Sequence, residues 1–241
     1  MRYLCLILLF PPAIAAGQVF VGVRGGIPVS KAFDYSSNPN RPDFSDAFIP
    51  AFASYASKLN PYTVGPSLEI LLPLGFGAEF DALYRHLTYH YTGSGGAGSG
   101  SLFDERKIRA NRWEFPILLK YRFPTPEIRP FLNGGISINH VRASNDGVFG
   151  FRPSGSSSFF DRQLRFFGQS ADYTPELNVR TTAGVVVGGG VEFALGRFKV
   201  SPELRYTRWR TQNFDSGAGT TFLRSKLNEI GIIVGLMLRV R

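Results

Sequence analysis

Residues 112–123 alternate strictly between apolar and mostly charged side chains, and this alternation limits the folds open to the chain. One parity is wholly apolar and comprises Trp113, Phe115, Ile117, Leu119, Tyr121 and Phe123. Successive side chains leave a β-strand on opposite sides, so a period of two predicts a strand with two contrasting faces. In a soluble sheet the apolar face turns inward. In an outer-membrane barrel it turns outward, with aromatic girdles at both ends of an aliphatic band.

Seven further segments show the same period-two pattern. They span residues 19–27, 62–72, 76–91, 130–140, 182–195, 198–209 and 228–241. Leu83 disturbs the parity of the third segment and suggests a β-bulge nearby. Each of the eight predicted strands is about 9–14 residues long, close to the length that crosses a bilayer when tilted.

The predicted connections alternate in length. Those after strands two, four and six are short, at residues 73–75, 124–128 and 196–197. Those after strands one, three, five and seven are long, at residues 31–60, 92–109, 143–180 and 211–226. Short turns at one end and long loops at the other are typical of outer-membrane barrels.

Charge is also distributed unequally between the two parities. Asp, Glu, Lys and Arg make up 19% of the chain. By chance, roughly nine of the about 48 positions on the apolar parity would therefore be charged. Arg208 alone is charged there, next to a long loop. The opposite parity carries Arg24, Glu69, Glu79, Asp81, Arg85, Glu114, Lys120, Arg122, Glu192, Lys199, Glu203, Arg205, Glu229 and Arg239. A dry soluble core would bury that set at high cost, so we predict an all-β, eight-stranded antiparallel up-and-down transmembrane β-barrel with four long outer loops and short periplasmic turns.

Residues 1–16 are predicted to be a secretory signal peptide and residues 17–241 the barrel domain. Arg2 precedes an apolar stretch at residues 3–10, and Ala13 and Ala15 fit the small-residue cleavage rule. The single cysteine, Cys5, lies inside the apolar stretch. The mature chain would therefore have no thiol, which excludes disulfide, zinc-thiolate and cysteine-nucleophile chemistry.

Residues 113–121, Trp-Glu-Phe-Pro-Ile-Leu-Leu-Lys-Tyr, precede a Pro-containing turn and then residues 129–135, Arg-Pro-Phe-Leu-Asn-Gly-Gly. This run resembles the outer membrane protein beta-barrel family, the PorT-like group of small bacterial barrels with OmpA/OmpX-like architecture. The resemblance implies an eight-stranded barrel of mostly unassigned molecular role in the Gram-negative cell envelope. One departure is the C-terminus, Arg239-Val240-Arg241, where many outer-membrane barrels end in an aromatic residue read by the assembly machinery.

Several groups could carry chemistry. Glu79 and Asp81 share one face of a strand and could form a carboxylate pair, or could pair with Arg85, Lys120, Arg122 or Arg205. His86 and His90 lie near the outer end of strand three with Tyr84, Tyr89 and Tyr91, and could join Asp81 in a hydrolytic constellation or belong to the aromatic girdle. His140 falls at a strand end without metal-ligand spacing. Residues 188–190, three glycines in mid-strand, fit close packing in a narrow barrel rather than a phosphate loop.

We therefore expect an integral outer-membrane protein with a side-chain-filled lumen and a structural or surface-interaction role. No catalytic, cofactor-binding or metal-binding residue is assigned, and no cofactor is expected. The expected partners are the outer-membrane bilayer, the barrel-assembly machinery during biogenesis and a possible surface partner at the long loops. The net charge of +9 is scattered along the chain, so nucleic acid is not expected. Two alternatives remain open: a surface-facing enzyme of protease or lipid-A-modifying type, and a soluble exported barrel that binds a small apolar ligand.

Overall fold

The structure is a computed structural model that describes residues 17–35, 52–57, 62–97, 100–125, 128–153, 164–171, 176–216 and 222–240. The strands are β1 Gln18–Pro28, β2 Phe33–Tyr35, β3 Phe52–Ser57, β4 Thr63–Leu71, β5 Phe76–Asp81, β6 Leu83–Ala97, β7 Gly100–Arg122, β8 Ile128–Pro153, β9 Leu164–Ala171, β10 Thr181–Leu195, β11 Phe198–Trp209, β12 Leu223–Ser225 and β13 Asn228–Arg239. A 3₁₀ turn spans Pro73–Gly75. Within the described ranges no helix is long and apolar enough to cross a bilayer.

Eight antiparallel strand paths close into a ring, which confirms the predicted barrel. The order around the ring is β1, β4, β5 continuing into β6, β7, β8, β10, β11 and β13. The last strand returns to the first, with pairs running from Phe20↔Arg239 to Pro28↔Gly231. Neighbours in the ring are neighbours in sequence apart from short inserted strands, which makes this an up-and-down barrel.

The register runs unbroken past Leu83. β4 pairs Leu68 with Phe80, and Val64 with Tyr84, at one constant offset. A β-bulge would shift that offset by one residue. The suspected bulge is therefore absent, and the Leu83 side chain is buried inside the barrel together with those of the other odd-numbered residues of this path.

One end of the ring, here called the turn end, carries the tight connections. At the 3₁₀ turn the backbone N–H of Leu72 donates to the carbonyl of Phe76 at 2.8 Å. Between β10 and β11 the turn has two residues, and Gly196 adopts a φ of +66° there. This left-handed conformation carries no steric cost for glycine, which explains the residue at that position.

At the opposite end, here called the loop end, β6, β7 and β8 continue beyond the ring. Residues 92–109 were expected to form a loop, yet β6 and β7 pair without interruption to Ala97↔Gly100. β3 adds to β6 on one side, and β9 adds to β8 on the other. The result is a five-stranded sheet, here called the extension, that stands on one side of the loop end. Much of the third expected loop, residues 143–180, likewise belongs to β8 and β9.

Candidate functional site: the lumen, its outer mouth and the outer wall

The outer wall of the ring is an apolar band. Its exposed large side chains include Val21, Val23, Val64, Leu68, Phe80, Phe115, Ile117, Leu119, Leu132, Ile136, Val185, Val187, Leu204, Ile232, Val234 and Leu236. Leu119 is 61% exposed, whereas its neighbour Lys120 is fully buried. Of the outward-facing positions within the predicted strand segments that the structure describes, Arg208 alone is charged, as the alternation predicts. Arg109 and Arg142 also face outward, just beyond the predicted segments 112–123 and 130–140.

Aromatic residues lie at both edges of this band. Near the turn end, the Tyr121 ring packs against Phe76 and Phe123, with ring centroids 5.1 Å apart in both pairs. Near the loop end, Tyr84 and Trp113 pack with their centroids 5.2 Å apart. Aromatic rings at the two edges of an aliphatic band are typical of barrels that cross a bilayer.

Arg24 occupies the middle of the lumen and is fully buried. Its Nη2 lies 2.5 Å from Glu79 Oε2, and its Nη1 lies 2.7 Å from Glu203 Oε2. Its Nε donates to Ser67 Oγ at 3.2 Å and lies 3.4 Å from Asp81 Oδ1. One guanidinium on β1 thus joins carboxylates from β5 and β11. The guanidinium presents its donors in a fixed fork, which suits it to several carboxylates at once.

Arg205 completes this layer. Its Nη2 lies 2.9 Å from Glu79, its Nη1 3.2 Å from Asp81, and its Nε 2.7 Å from Glu203. Glu79 and Asp81 were predicted to share a face and to find cationic partners, and the structure places both between two guanidinium groups. They therefore do not form an isolated carboxylate pair. Of their predicted partners, Arg205 and Lys120 are confirmed, Arg85 and Arg122 pair elsewhere, and Arg24 was missed.

A second layer lies toward the turn end. Lys120 Nζ is 2.5 Å from Glu192 and 3.1 Å from Glu69, and Lys199 Nζ is 2.6 Å from Glu69. Each ammonium also lies over an aromatic face: Lys120 is 3.9 Å from the Phe131 ring centroid, and Lys199 is 4.3 Å from that of Phe20. Phe20 and Phe131 are buried, as are Leu71 and Met237 at the same end. These four buried apolar side chains are here called the floor of the lumen.

A third layer lies toward the loop end. Glu229 accepts from Arg112 at 2.6 Å and from Arg85 at 3.0 Å. Arg112 also lies 2.7 Å from Glu114, and its guanidinium lies over the buried Trp209 ring at 4.7 Å.

The three layers balance in charge. The lumen carboxylates are Glu69, Glu79, Asp81, Glu114, Glu192, Glu203 and Glu229. The facing cations are Arg24, Arg85, Arg112, Lys120, Lys199 and Arg205, with Arg122 at the edge 3.5 Å from Glu192. Every one of these carboxylates lies within 4.0 Å of a cation. Buried charges are tolerated when paired in this way, and the set as a whole is neutral.

Above the third layer the lumen becomes apolar. This plug comprises Phe33, Tyr55, Leu87, Tyr89, Ile108, Ala110, Val141, Ala143, Leu177, Phe214 and Leu223. Some of its members lie on the inner faces of β6, β7 and β8, whereas Phe33 and Leu223 lie on β2 and β12, which pair as a small two-stranded sheet. Phe33 packs edge-on against both Tyr89 and Phe214, at centroid distances of 5.6 and 5.5 Å. The chain segments between ring strands thus fold inward over the mouth.

Glu176 fastens the plug to the extension. Its buried carboxylate accepts hydrogen bonds from the hydroxyl groups of Tyr89 at 3.1 Å and Tyr55 at 3.3 Å, and Arg106 Nη1 lies 3.8 Å away. Burial, followed by the nearby Glu176 carboxylate, raises the pKa of Tyr55 above its ordinary value. The phenol therefore stays protonated as the donor that the contact requires.

The histidines do not join Asp81. His86 and His90 lie at even positions of β6 and face outward, opposite to the lumen face that carries Asp81. His86 Nδ1 lies 2.9 Å from Asn111 Oδ1, and His140 Nδ1 lies 2.8 Å from Thr181 Oγ1. Asp81, His86 and His90 therefore do not come together, as a hydrolytic site would require. In the portion of the chain that the structure describes, no group of three His, Cys, Asp or Glu residues could hold a metal ion.

Two of the three glycines in β10, Gly188 and Gly190, face the lumen and are packed closely there, whereas Gly189 faces outward. A Cβ at Gly188 would lie 2.5 Å from Asn133 Oδ1 and 2.7 Å from Glu203 Oε1, and one at Gly190 would lie 2.1 Å from the Pro202 carbonyl. The packing interpretation of these glycines is confirmed.

No protein-family model and no curated protein matches the sequence. Among solved structures, the chain is similar to Ail, the attachment invasion locus protein of Yersinia pestis, in complex with the heparin analogue sucrose octasulfate. The identity is 10%, the TM-score is 0.37, and the match covers 92% of this chain and 97% of that one. Neisserial surface protein A matches at 15% identity and a TM-score of 0.32, over 92% and 96% of the two chains. The translocator domain of the autotransporter NalP from Neisseria meningitidis matches at 10% identity and a TM-score of 0.29, over 93% of this chain and 88% of that one. The assignment of the barrel rests on the strand pairing and not on these distant likenesses.

Proposed function

We propose that this chain is an integral β-barrel protein of the bacterial outer membrane with a closed lumen. Its role would be structural or one of surface interaction, without catalysis. One observation carries the proposal: the apolar side of every ring strand faces outward, while the charged side faces inward and is paired. A soluble protein rarely exposes a contiguous apolar patch above a few hundred Å², and a band around a whole barrel exceeds that.

Closure of the lumen is supported by its contents. The apolar floor, three ion-paired layers and the plug follow one another from the turn end to the loop end. Eight-stranded barrels enclose little more than their own side chains, so the scaffold itself favours a filled interior.

A surface role is supported by the extension. β3, β6, β7, β8 and β9 present a sheet beyond the apolar band, at the end where the long connections lie. Export through the signal peptide at residues 1–16, insertion by the barrel-assembly machinery, outward-facing loops and membership of the PorT-like group belong to the same proposal. Residues 1–16 lie outside the described residues.

Membrane fractionation in a Gram-negative host tests the proposal. We expect the protein in the outer-membrane fraction after urea or carbonate washing, released only by detergent, and with a gel mobility that changes on boiling. A monodisperse protein in buffer without detergent would instead support the soluble ligand-binding barrel and contradict the proposal.

A further inference from the structure

A cleft in the outer wall crosses the edge of the apolar band at the loop end. It has a volume of about 500 Å³ and is lined by Tyr84, Asn111, Trp113, Phe115, His140 and Arg142. An adjoining cleft of about 490 Å³ shares Asn111, His140 and Arg142 and adds Arg180. The two clefts share three lining residues and are here together called the rim groove; its lower half is aromatic and its upper half is cationic.

The lower half is a preformed aromatic surface. The Trp113 ring is 41% exposed and stacks on Phe115, with centroids 6.4 Å apart and an interplanar angle of 12°. On the other side, Trp113 packs against Tyr84, whose hydroxyl donates to Asn111 Oδ1 at 2.7 Å. An exposed indole beside a polar rim suits an amphipathic molecule at a membrane surface.

The upper half carries positive charge that no described carboxylate pairs with. Arg142 and Arg180 are exposed, and neither forms a salt bridge with any described residue. Arg109, on the same wall, differs because its Nη2 lies 3.0 Å from Asp146. The strand register places Arg142 opposite Asn111, and His140 opposite Trp113, so the cationic part lies directly above the aromatic part.

We propose that the rim groove binds the phosphorylated headgroup of a lipid in the leaflet at the loop end. Arg142 and Arg180 would contact phosphate, and Trp113 and Phe115 the top of an acyl chain. This inference rests on the proposed membrane function, because it needs the band edge to lie at headgroup depth. Arginine binds phosphate through paired hydrogen bonds, and basic pockets at membrane interfaces bind anionic headgroups. A water-soluble anion would use the arginines alone, so the aromatic half favours a lipid.

The two tryptophans give a selective probe. Trp113 lies in the rim groove, whereas Trp209 is buried inside the barrel. A Trp209→Phe variant therefore reports on the groove alone. In vesicles of phosphatidylcholine with brominated acyl chains, quenching of Trp113 tests the membrane function by itself. Without quenching, the proposed function fails and the lipid inference fails with it.

Diphosphorylated lipid A, titrated into phosphatidylcholine nanodiscs that hold this variant, then tests the groove. We expect a saturable change in Trp113 emission. Arg142→Gln with Arg180→Gln should raise the half-saturating lipid fraction by about tenfold or more. The matched control, Arg197→Gln with Arg239→Gln, removes two exposed arginines from the turn end. It should leave the half-saturating lipid fraction unchanged.

Three results would overturn the inference while leaving the membrane function intact. The first is quenching by brominated lipid with no response to lipid A. The second is an equal loss in both double variants, which would indicate only a charge effect. The third is the same emission change produced at similar concentration by inositol hexakisphosphate or inorganic phosphate, which would identify a soluble anion as the occupant.

Discussion

Arg24 shows how one side chain can depend on the whole barrel. In isolation a fully buried guanidinium would be very costly, and here its cost is offset by carboxylates of Glu79, Asp81 and Glu203. None of these partners is on its own strand or on an adjacent strand of the ring. Its contact with Glu203 on β11 spans the seam between β1 and β13, so this contact depends on closure of the ring.

Arg24→Met is expected to destabilise the barrel by about 3–5 kcal/mol, because it leaves buried carboxylates without their main cation. Arg24→Met combined with Glu203→Gln should recover part of that loss, since it also removes one of the stranded charges. Denaturant unfolding from detergent or bilayers measures both. A single variant as stable as the parent protein would show that the cluster is hydrated or rearranged in solution.

Leu119 and Lys120 are adjacent and face opposite sides of the sheet. Substitutions at Leu119 therefore distinguish a lipid-facing surface from a packed protein core. Leu119→Arg places a guanidinium in hydrocarbon at a cost of roughly 2–4 kcal/mol. Leu119→Phe is expected to be mild, because lipid adapts to shape whereas a packed core resists by roughly 1–3 kcal/mol. Unfolding from bilayers compares the two variants. Tolerance of the arginine, or equal damage from the phenylalanine, would contradict lipid contact.

At the scale of elements, the alternation predicts the ring strands because each strand has one apolar outward face and one polar face toward the lumen. The extension was not predictable in this way. Residues 93–100 are rich in glycine and serine, a composition typical of loops. Nevertheless residues 93–97 pair with residues 100–104, from Gly93↔Asp104 to Ala97↔Gly100. Pairing depends on a neighbouring strand as well as on composition. The plug was missed for a related reason, since Phe33 and Phe214 lie outside the ring strands and their packing depends on closure.

The neighbouring glycines of β10 allow a matched test of the two faces. Gly188→Ala is expected to cost about 1–3 kcal/mol, because the new methyl group meets Asn133 and Glu203 in a filled lumen. Gly189→Ala faces outward, where the nearest atom is the end of the Leu132 side chain at 3.0 Å, and should cost less. Thermal unfolding in detergent compares them. If Gly189→Ala were the more destabilising variant, the assignment of Gly188 to the lumen face and Gly189 to the outer face would be contradicted.

For the whole molecule, the proposed closed lumen predicts the absence of porin-sized conductance. Among the described residues, the plug, the ion-paired layers and the floor all lie inside the ring, and aqueous channels arise at about 16 strands. Planar-bilayer recordings of the purified protein are expected to show no sustained large openings. Stable openings of porin size would contradict either the strand number or the filled lumen.

Orientation can be tested on intact cells. If the loop end faces outward, added protease is expected to cut within residues 31–60 or 143–180, and the turns at residues 73–75 and 196–197 should be spared. Mass spectrometry of the fragments locates the cuts. Cleavage seen only after lysis would reverse the orientation or place the protein in another compartment.

The position of Arg24 on the first strand also bears on the order of events during assembly. A barrel is complete only when its first strand meets its last, here β1 and β13. Arg24 is separated from Glu203 by 179 residues, the longest separation among the lumen ion pairs of the described residues, so this pair closes a long loop during folding. The Arg24–Glu203 pair therefore links β1 to β11 across β13 from inside the lumen, and it stabilises the closed ring only once β1 and β13 have met.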